Sequence, residues 1–396
     1  MYRLFFLSIL LLANLPTLAQ QRARDLGLPM EGTPGPLNAI TDIDGIEVGF
    51  TTLIKGEPGP LVVGQGPVRT GVTAIFPRGK ANLDPVFGAW FTLNGNGEMT
   101  GTTWVEESGF VEGPIMITNT HSVGIVRDAV IRWMVREGHL QYDFMMPVVA
   151  ETYDALNDIN GQHVREEHAI AAMDSARGGP VAEGNVGGGT GMKCHSFKGG
   201  TGTASQLVDG YTVGVLVQCN YGRRSQLRIA GVPVGLEMTE PRLCWDSPEA
   251  PERWGIRRCS SGVPTSDVDR GSIIIVLATD APLLPHQLKR LVKRAALGVG
   301  KMGGIGGNSS GDIFIAFSTA NPGAADADST RMVEMRPNET LDPLFQATIW
   351  AVEEAIVNAM LGADTMTGAD YLRVPALPKD RLVEVMRKFN RLVESE

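Results

Sequence analysis

The fold is decided by the stretch Gly271-Ser272-Ile273-Ile274-Ile275-Val276-Leu277-Ala278-Thr279-Asp280. Its run of five large aliphatic residues, four of them β-branched, favours a strand that is buried on both faces. A polar loop, residues 265–270, leads directly into this run. The sequence therefore predicts a buried strand with Ser272 at its mouth.

The Gly271-Ser272 pair permits an unusual reaction. Glycine has no Cβ and can adopt the strained backbone in which the next hydroxyl attacks the preceding carbonyl. Hydrolysis of the resulting ester would cut the chain and leave Ser272 with a free α-amine. That residue would carry nucleophile and base together, because an α-amine has a pKa of about 7.7–8.0. A plain Gly-Ser turn entering a strand is the common alternative, and these residues alone leave it open.

The composition is that of a globular protein with room for one large core or two domains. The chain has 396 residues, of which 43% are hydrophobic and 20% charged. Its 35 basic residues against 44 acidic ones give a net charge of −9, and no basic block stands out. We therefore expect no nucleic-acid partner.

The first 19 residues are typical of a secretory signal peptide. Arg3 supplies a positive charge, residues 4–13 are almost wholly apolar, and Ala19 is a small residue before the expected cut. The apolar run is too short to span a bilayer comfortably, although an uncleaved anchor remains the alternative. We expect a periplasmic or secreted protein that has no membrane contact once the signal is removed.

The cysteines and histidines indicate no metal site. The four cysteines form no CxxC pair, and Cys219 is expected in the core. Cys244 and Cys259 would be able to pair in an oxidising compartment, which the sequence does not decide. No HExxH occurs, and His163 and His168 are five residues apart, off one helical face. We expect neither a metal nor another cofactor.

Strands and helices alternate along the rest of the chain, which favours layers of sheet and helix. Apolar runs predict strands, and spacings of three and four predict amphipathic helices. The predicted strands cover residues 113–120, 211–220 and 313–317, and the predicted helices cover residues 121–137, 284–295, 342–361 and 381–393.

The glycine-rich stretch at residues 298–312 allows three interpretations. Residues 298–303 spell GxGxxG but end a helix, whereas a dinucleotide site opens a helix after a strand. Residues 307–311 spell GxSxG, yet a nucleophile elbow needs a strand before it and a helix after it, the reverse of this order. In the third interpretation the loop approaches another backbone closely, and Ser310 and Asp312 face Ser272 as a proton relay.

Four stretches, in order, resemble the L-aminopeptidase/D-esterase family, the DmpA-like enzymes that include the β-peptidyl aminopeptidases. They are residues 147–158, 217–222, 270–283 and 302–312, and the third resembles the family's self-cleavage segment. The resemblance implies an α/β protein, a four-layer α/β/β/α sandwich. It also implies one interleaved domain made of two fragments, 20–271 and 272–396, together with assembly into a homo-oligomer of cleaved heterodimers.

The resemblance assigns roles to individual residues. It implies a cut between Gly271 and Ser272, with Ser272 as the nucleophile. The family often has Glu where Asp312 stands, so the shorter side chain has less reach. The remaining roles are a relay on Ser310 and Asp312, an oxyanion donor on Asn220, an anchor for the substrate amine on Glu151, and a hydroxyl near the nucleophile on Tyr153. Without the resemblance, Asn220 is more often a turn former, Glu151 a surface acid and Tyr153 an interface residue.

The predicted function is that of an exported, self-cleaving aminopeptidase or amidase. It would release N-terminal residues from short peptides, amides or esters through an acyl-enzyme on Ser272. One alternative is an acyltransferase on the same fold, although the similar ornithine acetyltransferases use threonine as nucleophile. Another is a non-catalytic exported binding protein that stays uncut.

Overall fold

The computed structural model describes residues 20–140, 143–262 and 271–393. The predicted signal peptide and residues 263–270 of the polar loop lie outside these ranges. None of the helices in the described part of the chain is long and apolar enough to cross a membrane. The strands are β1 Glu47–Lys55, β2 Val68–Phe76, β3 Val86–Thr92, β4 Phe110–Val111, β5 Ile115–Asn119, β6 Val148–Thr152, β7 Lys193–Cys194, β8 Phe197–Lys198, β9 Gly200–Val208, β10 Tyr211–Asn220, β11 Cys244–Trp245, β12 Ser272–Thr279, β13 Ile313–Ser318, β14 Met366–Thr367 and β15 Leu372–Val374. The α-helices are α1 Thr102–Ser108, α2 Val123–Arg136, α3 Glu166–Asp174, α4 Val234–Glu237, α5 Pro285–Lys301, α6 Asp342–Leu361 and α7 Lys379–Lys388.

Two large sheets form the centre of the protein. One has four strands in the order β1-β2-β5-β6, and the other has six in the order β4-β3-β13-β12-β10-β9. Strand β12 lies inside the larger sheet, parallel to β13 and antiparallel to β10. All eight of its residues are buried, which confirms the predicted strand that begins at Ser272.

Three buried clusters show how the layers stack. The first joins the facing surfaces of the two sheets, with Ile117 from the small sheet and Val276 from the large one. The second packs α5 and α6 on the outer face of the large sheet, and the third packs α2 and α3 on the small sheet. The four-layer α/β/β/α sandwich is thereby confirmed.

Helix α6 is the clearest departure from the predicted helices. The sequence predicts an amphipathic helix there, but 15 of its 20 residues are buried. The reason is that α6 packs against α5 on one side and against β9 and β10 on another.

Helix α7 ends at Lys388 instead of 393, and the Val393 N–H donates to the Gly27 carbonyl at 2.8 Å. The chain end thus leaves the helix to contact the N-terminal arm.

Strands from both sides of Gly271 alternate within the large sheet. Strands β13 and β12 lie between β3 and β10. A cut at Gly271 would therefore leave the two fragments joined by ladder hydrogen bonds on both sides of this pair. Cleavage into the fragments 20–271 and 272–396 stays a prediction.

Two disulfides cross-link the described chain. Cys244 and Cys259 pair with an S–S distance of 2.04 Å, which settles the pairing that the sequence left open. Cys194 and Cys219 also pair and so join β7 to β10. Cys219 is buried, as the sequence predicts, but its bond to Cys194 was not predicted.

Candidate active site

A cavity of about 860 Å³ opens at the N-terminal end of β12. Gly271 and Ser272 line it, so the predicted cleavage bond borders this cavity. Its lining divides into two groups, which we name the polar wall and the apolar wall. The polar wall contains Glu98, Thr120, Glu151 and Ser309, and the apolar wall contains Ala155, Leu243, Trp254, Ile256 and Leu372.

Ser272 is held at the edge of the cavity by its neighbours on both sides. Across the antiparallel ladder it pairs with Asn220. The main-chain N–H of Gly311 donates to Ser272 Oγ at 3.0 Å, and the serine is only 5% exposed. A Cβ at position 271 would lie 1.7 Å from the Asn220 carbonyl oxygen, so only glycine fits before this serine.

Ser310 and Asp312 flank Gly311 and so lie beside the nucleophile. The Ser310 hydroxyl donates to Asp312 Oδ1 at 2.5 Å, so the shorter carboxylate reaches the partner predicted for it. Asn94 fixes this pair, because its Oδ1 accepts from the Asp312 N–H at 2.6 Å. In the sequence, Asn94 is only the first residue of a turn cluster at residues 94–101, which gave no signal of this contact.

The loop that bears Ser310 approaches a second loop, as predicted. A Cβ on Gly311 would come within 2.5 Å of the Asn96 carbonyl oxygen. The Asn96 N–H donates to the Ser310 carbonyl at 3.2 Å, and its Nδ2 donates to the Ser309 carbonyl at 2.9 Å. Because the group that a Gly311 Cβ would strike is a main-chain carbonyl, the glycine at 311 is required for the loops to meet. Neither the dinucleotide nor the elbow arrangement is present, since helix α5 precedes this loop and strand β13 follows it.

Asn220 is anchored on both ends of its amide. Its Nδ2 donates to the Tyr153 carbonyl at 2.8 Å, and its Oδ1 accepts from the Lys193 N–H at 3.0 Å. A Cβ at position 271 would lie 3.2 Å from the same Nδ2, which places this amide beside the Gly271-Ser272 bond. An amide nitrogen carries two hydrogens, and the bond to Tyr153 uses one of them. The role of the other hydrogen as a donor to an oxyanion at that bond stays a prediction.

Tyr153 also lines the cavity, with 37% of its surface exposed. Its defined contact with the site is made by the main-chain carbonyl that receives the Asn220 amide. The predicted role of its hydroxyl near the nucleophile stays a prediction.

Glu151 lies inside the cavity and is not a surface acid. It is 2% exposed in strand β6, and it accepts hydrogen bonds from the Glu98 N–H at 2.9 Å and from the Thr120 hydroxyl. Burial raises the pKa of Glu151 above its usual value, and the hydrogen bond from Thr120 opposes that rise. This enclosed carboxylate can bind a cationic group that enters the cavity.

Sequence reasoning gave Lys193 no role and missed the whole apolar wall. Lys193 lines the cavity and is 8% exposed. It ends the glycine-rich stretch at residues 183–193, for which the sequence allows either a loop that lines the cleft or a tight turn. The apolar wall gave no signal, because its residues are spread from 155 to 372.

No candidate metal centre accompanies the cavity in residues 20–140, 143–262 and 271–393. There, no three or more His, Cys, Asp or Glu side chains lie close enough to hold an ion. His163 Nε2 lies 2.8 Å from Asp158 Oδ2, and these two residues form an isolated pair outside the cavity lining.

Comparison with protein families and with known sequences gives a consistent result. Residues 38–374 match the model of peptidase family S58. Beta-peptidyl aminopeptidase BapA of Sphingosinicella microcystinivorans is 53% identical over 393 residues, which are 98% of this chain and 97% of that protein. The BapA of Sphingosinicella xenopeptidilytica is 47% identical over 96% of this chain and 94% of its own length.

Similar solved structures also come from aminopeptidases. An L-aminopeptidase D-Ala-esterase/amidase from Ochrobactrum anthropi, described as a prototype serine aminopeptidase with a variant of the Ntn-hydrolase fold, superposes with a TM-score of 0.82. It is 49% identical and covers 94% of this chain and 99% of its own. A β-aminopeptidase from a Burkholderia species gives 0.81 at 44% identity over 95% of this chain and 100% of its own.

Proposed function

Because this chain belongs to peptidase family S58, we propose that it cuts itself between Gly271 and Ser272 and then uses Ser272 as its nucleophile. It is an aminopeptidase of the N-terminal nucleophile type, with the Ntn-hydrolase fold. The observation that carries the proposal is the contact between the Gly311 N–H and Ser272 Oγ, with the Asn220 amide beside the same bond.

The surroundings of Gly271 support self-cleavage as a proposed sequence of steps. The Ser272 hydroxyl attacks the Gly271 carbonyl, the C–N bond breaks, and the nitrogen takes the proton. The Asn220 amide donates to the oxyanion that forms during this step. Water then hydrolyses the ester, which leaves a carboxylate on Gly271 and an amine and a hydroxyl on Ser272.

Turnover uses the same serine. Its new α-amine accepts the Oγ proton while Oγ attacks the substrate carbonyl, and the scissile bond then breaks as the leaving amine or alcohol takes that proton. Water hydrolyses the acyl-enzyme, which releases the N-terminal residue and restores the Ser272 hydroxyl. The Asp312 carboxylate holds the Ser310 hydroxyl, which relays protons beside the amine. Glu151 binds the substrate's ammonium group and so selects peptides with a free N-terminus.

The proposed substrates are short peptides, amides or esters. Two similar proteins are β-peptidyl aminopeptidases, so substrates that begin with a β-amino acid deserve testing beside ordinary peptides. We also propose export to the periplasm or outside the cell, on the basis of the signal-like residues 1–19, and assembly into a homo-oligomer of cleaved heterodimers.

The test is release of the N-terminal residue from short α- and β-peptides, followed by mass spectrometry. Wild type is expected to release it, and Ser272→Ala is expected to remain uncut and inactive. Ser108→Ala on helix α1, outside the cavity lining, is the matched control and should behave as wild type. Equal release by the Ser272→Ala protein, or no release by wild type, would contradict the proposal.

Added amines distinguish hydrolysis from acyl transfer. A hydrolase passes most of its acyl groups to water even when a millimolar amine acceptor is present. Predominant formation of the acylated amine would favour the acyltransferase, and an uncut chain that binds peptides without turnover would favour a binding protein.

A further inference from the structure

We propose that the apolar wall is the binding site for an apolar side chain of the substrate and that the Cys244–Cys259 disulfide positions it. The inference rests on the proposed function and adds the part of the cavity that recognises the substrate. Leu243, Trp254 and Ile256 in this wall lie in or beside the segment that the disulfide closes.

The apolar wall belongs to a structural unit separate from the two large sheets. Ala155, Leu243, Ile256 and Leu372 are members of a buried cluster that is distinct from the three main cores. A small sheet in the order β11-β15-β14 supports them, with Trp245 paired to Leu372. The catalytic serine and the apolar wall are therefore held by different cores.

Trp254 is fixed by stacking as well as by the disulfide. The Arg253 guanidinium lies 4.4 Å from the Trp254 ring centroid and 5.4 Å from that of Trp245. Its Nη2 donates to Asp370 Oδ2 at 2.6 Å, which holds the guanidinium beside both rings, whose centroids lie 6.0 Å apart. The stacked guanidinium thus holds the Trp254 indole in place on one side of the cavity.

The disulfide fixes where this segment starts and ends. It joins residues 15 apart, and Trp254 and Ile256 lie between them. The Trp245 indole N–H donates to the Ile256 carbonyl at 3.1 Å, next to the bridge. The Trp245 main-chain N–H also donates to the Arg257 carbonyl at 3.0 Å. Without the bridge, the segment keeps its non-covalent contacts but loses its covalent closure, so the wall has more conformations available.

The position of the wall identifies its occupant. It shares one cavity with Ser272 and Glu151, so a peptide whose amine reaches Glu151 and whose carbonyl reaches Ser272 passes beside it. Burial of an apolar side chain against this wall removes both surfaces from water. The apolar side chain that binds there belongs either to the N-terminal residue of the substrate or to the residue that follows it.

The experiment compares three proteins on matched substrates. Wild type, Trp254→Ala and Cys244→Ser/Cys259→Ser are assayed with alanyl and leucyl p-nitroanilides and with the dipeptides Ala-Ala and Ala-Leu. In both variants, kcat/KM for a leucine substrate is expected to fall about tenfold or more through KM, while alanine substrates stay within about twofold. If kcat/KM falls for the leucyl anilide, the wall binds the side chain of the N-terminal residue. If it falls for Ala-Leu, the wall binds the side chain of the second residue.

Trp104→Ala is the matched control, because it removes an indole on α1 that is outside the cavity lining. If the double cysteine variant does not fold, Trp254→Ala decides the binding site. Equal change on alanine and leucine substrates, or no change on either, overturns the inference and leaves the proposed function intact. A wild type that turns over neither these four substrates nor their counterparts that begin with a β-amino acid contradicts the proposed function and this inference together.

Discussion

The polar wall and the apolar wall of the cavity are built in different ways. In the polar wall, Glu151 on a central strand receives hydrogen bonds from the Glu98 N–H and the Thr120 hydroxyl. The apolar wall is carried by a small appended sheet and a disulfide-closed segment. The difference teaches that the proposed reaction chemistry would depend on the central sheets, whereas the proposed substrate choice would depend on a unit with a buried cluster of its own.

One short segment joins the two walls. Glu151, Tyr153 and Ala155 all line the cavity, at the spacing of two that extended chain produces. Asp154 lies between them and is fully buried away from solvent. Substitutions along this segment and in the polar wall therefore test whether the two walls act separately.

The largest effect is expected where the polar wall meets the nucleophile. Asp312→Asn should lower kcat about 10²- to 10⁴-fold on every substrate, with little change in KM, because a neutral amide lacks the negative charge that supports proton relay through the Ser310 hydroxyl. Steady-state kinetics of the cleaved protein measure this. The double variant with Ser310→Ala should lose no more than either single variant, since the pair acts as one unit. A fall in kcat in the double variant equal to the product of the two single falls would contradict a shared relay.

Asn220→Ala should lower kcat about 10²- to 10³-fold through loss of an oxyanion donor. The substrate's side chain should not alter that ratio, because the apolar wall is not touched. The Asn220 amide also bonds to the Tyr153 carbonyl and the Lys193 N–H, so thermal unfolding must accompany the kinetics. A stable variant with unchanged kcat would return Asn220 to a structural role.

Glu151→Gln should raise KM about tenfold to a hundredfold, because a charge-assisted hydrogen bond to the ammonium group is lost. Burial raises the pKa of Glu151, so in wild type the carboxylate gains its proton at a higher pH than usual as the solution is acidified. KM should therefore rise as pH falls through that raised pKa, and in Glu151→Gln it should stay level. Glu112→Gln, outside the cavity lining, is the control. Identical pH profiles in wild type and Glu151→Gln would exclude the amine-anchor role.

The smallest effect concerns stability at the junction of the walls. Burial raises the pKa of Asp154 to about 8. Its contribution to stability is complete below the unfolded pKa of about 3.9 and is lost as pH rises through about 8, at up to about 1.4 kcal/mol per pH unit. Asp154→Asn should remove this slope. The free energy of unfolding, measured with urea at pH 5.5 and 7.5, checks this. An equal change with pH in wild type and Asp154→Asn would contradict a neutral Asp154.

Much of the fold was predictable because its strands are runs of apolar and β-branched residues. Residues 211–220 and 313–317 became β10 and β13 with almost no change of boundary. Helix α6 was misjudged, because a few polar positions suggested an exposed face that other layers in fact cover. The stacking of four layers came from a family resemblance, since periodicity reveals which face is buried but not what covers it.

The two walls differ in how far the sequence revealed them. Ser272, Ser310 and Asp312 stand in short motifs whose chemistry can be stated without coordinates. The apolar wall combines leucine, isoleucine and tryptophan residues that look like any core, and the pairing of Cys244 with Cys259 depends on three-dimensional distance. Asn94 was missed because an Asn-Gly sequence is equally typical of a turn.

The central claim is that Ser272 becomes the N-terminus and the nucleophile. Intact-mass measurement with N-terminal sequencing of the purified, active protein tests it most directly. The account predicts two chains that remain associated, the smaller of which begins Ser-Ile-Ile-Ile-Val. A single chain, uncut at Gly271, that still releases N-terminal residues from peptides would contradict it.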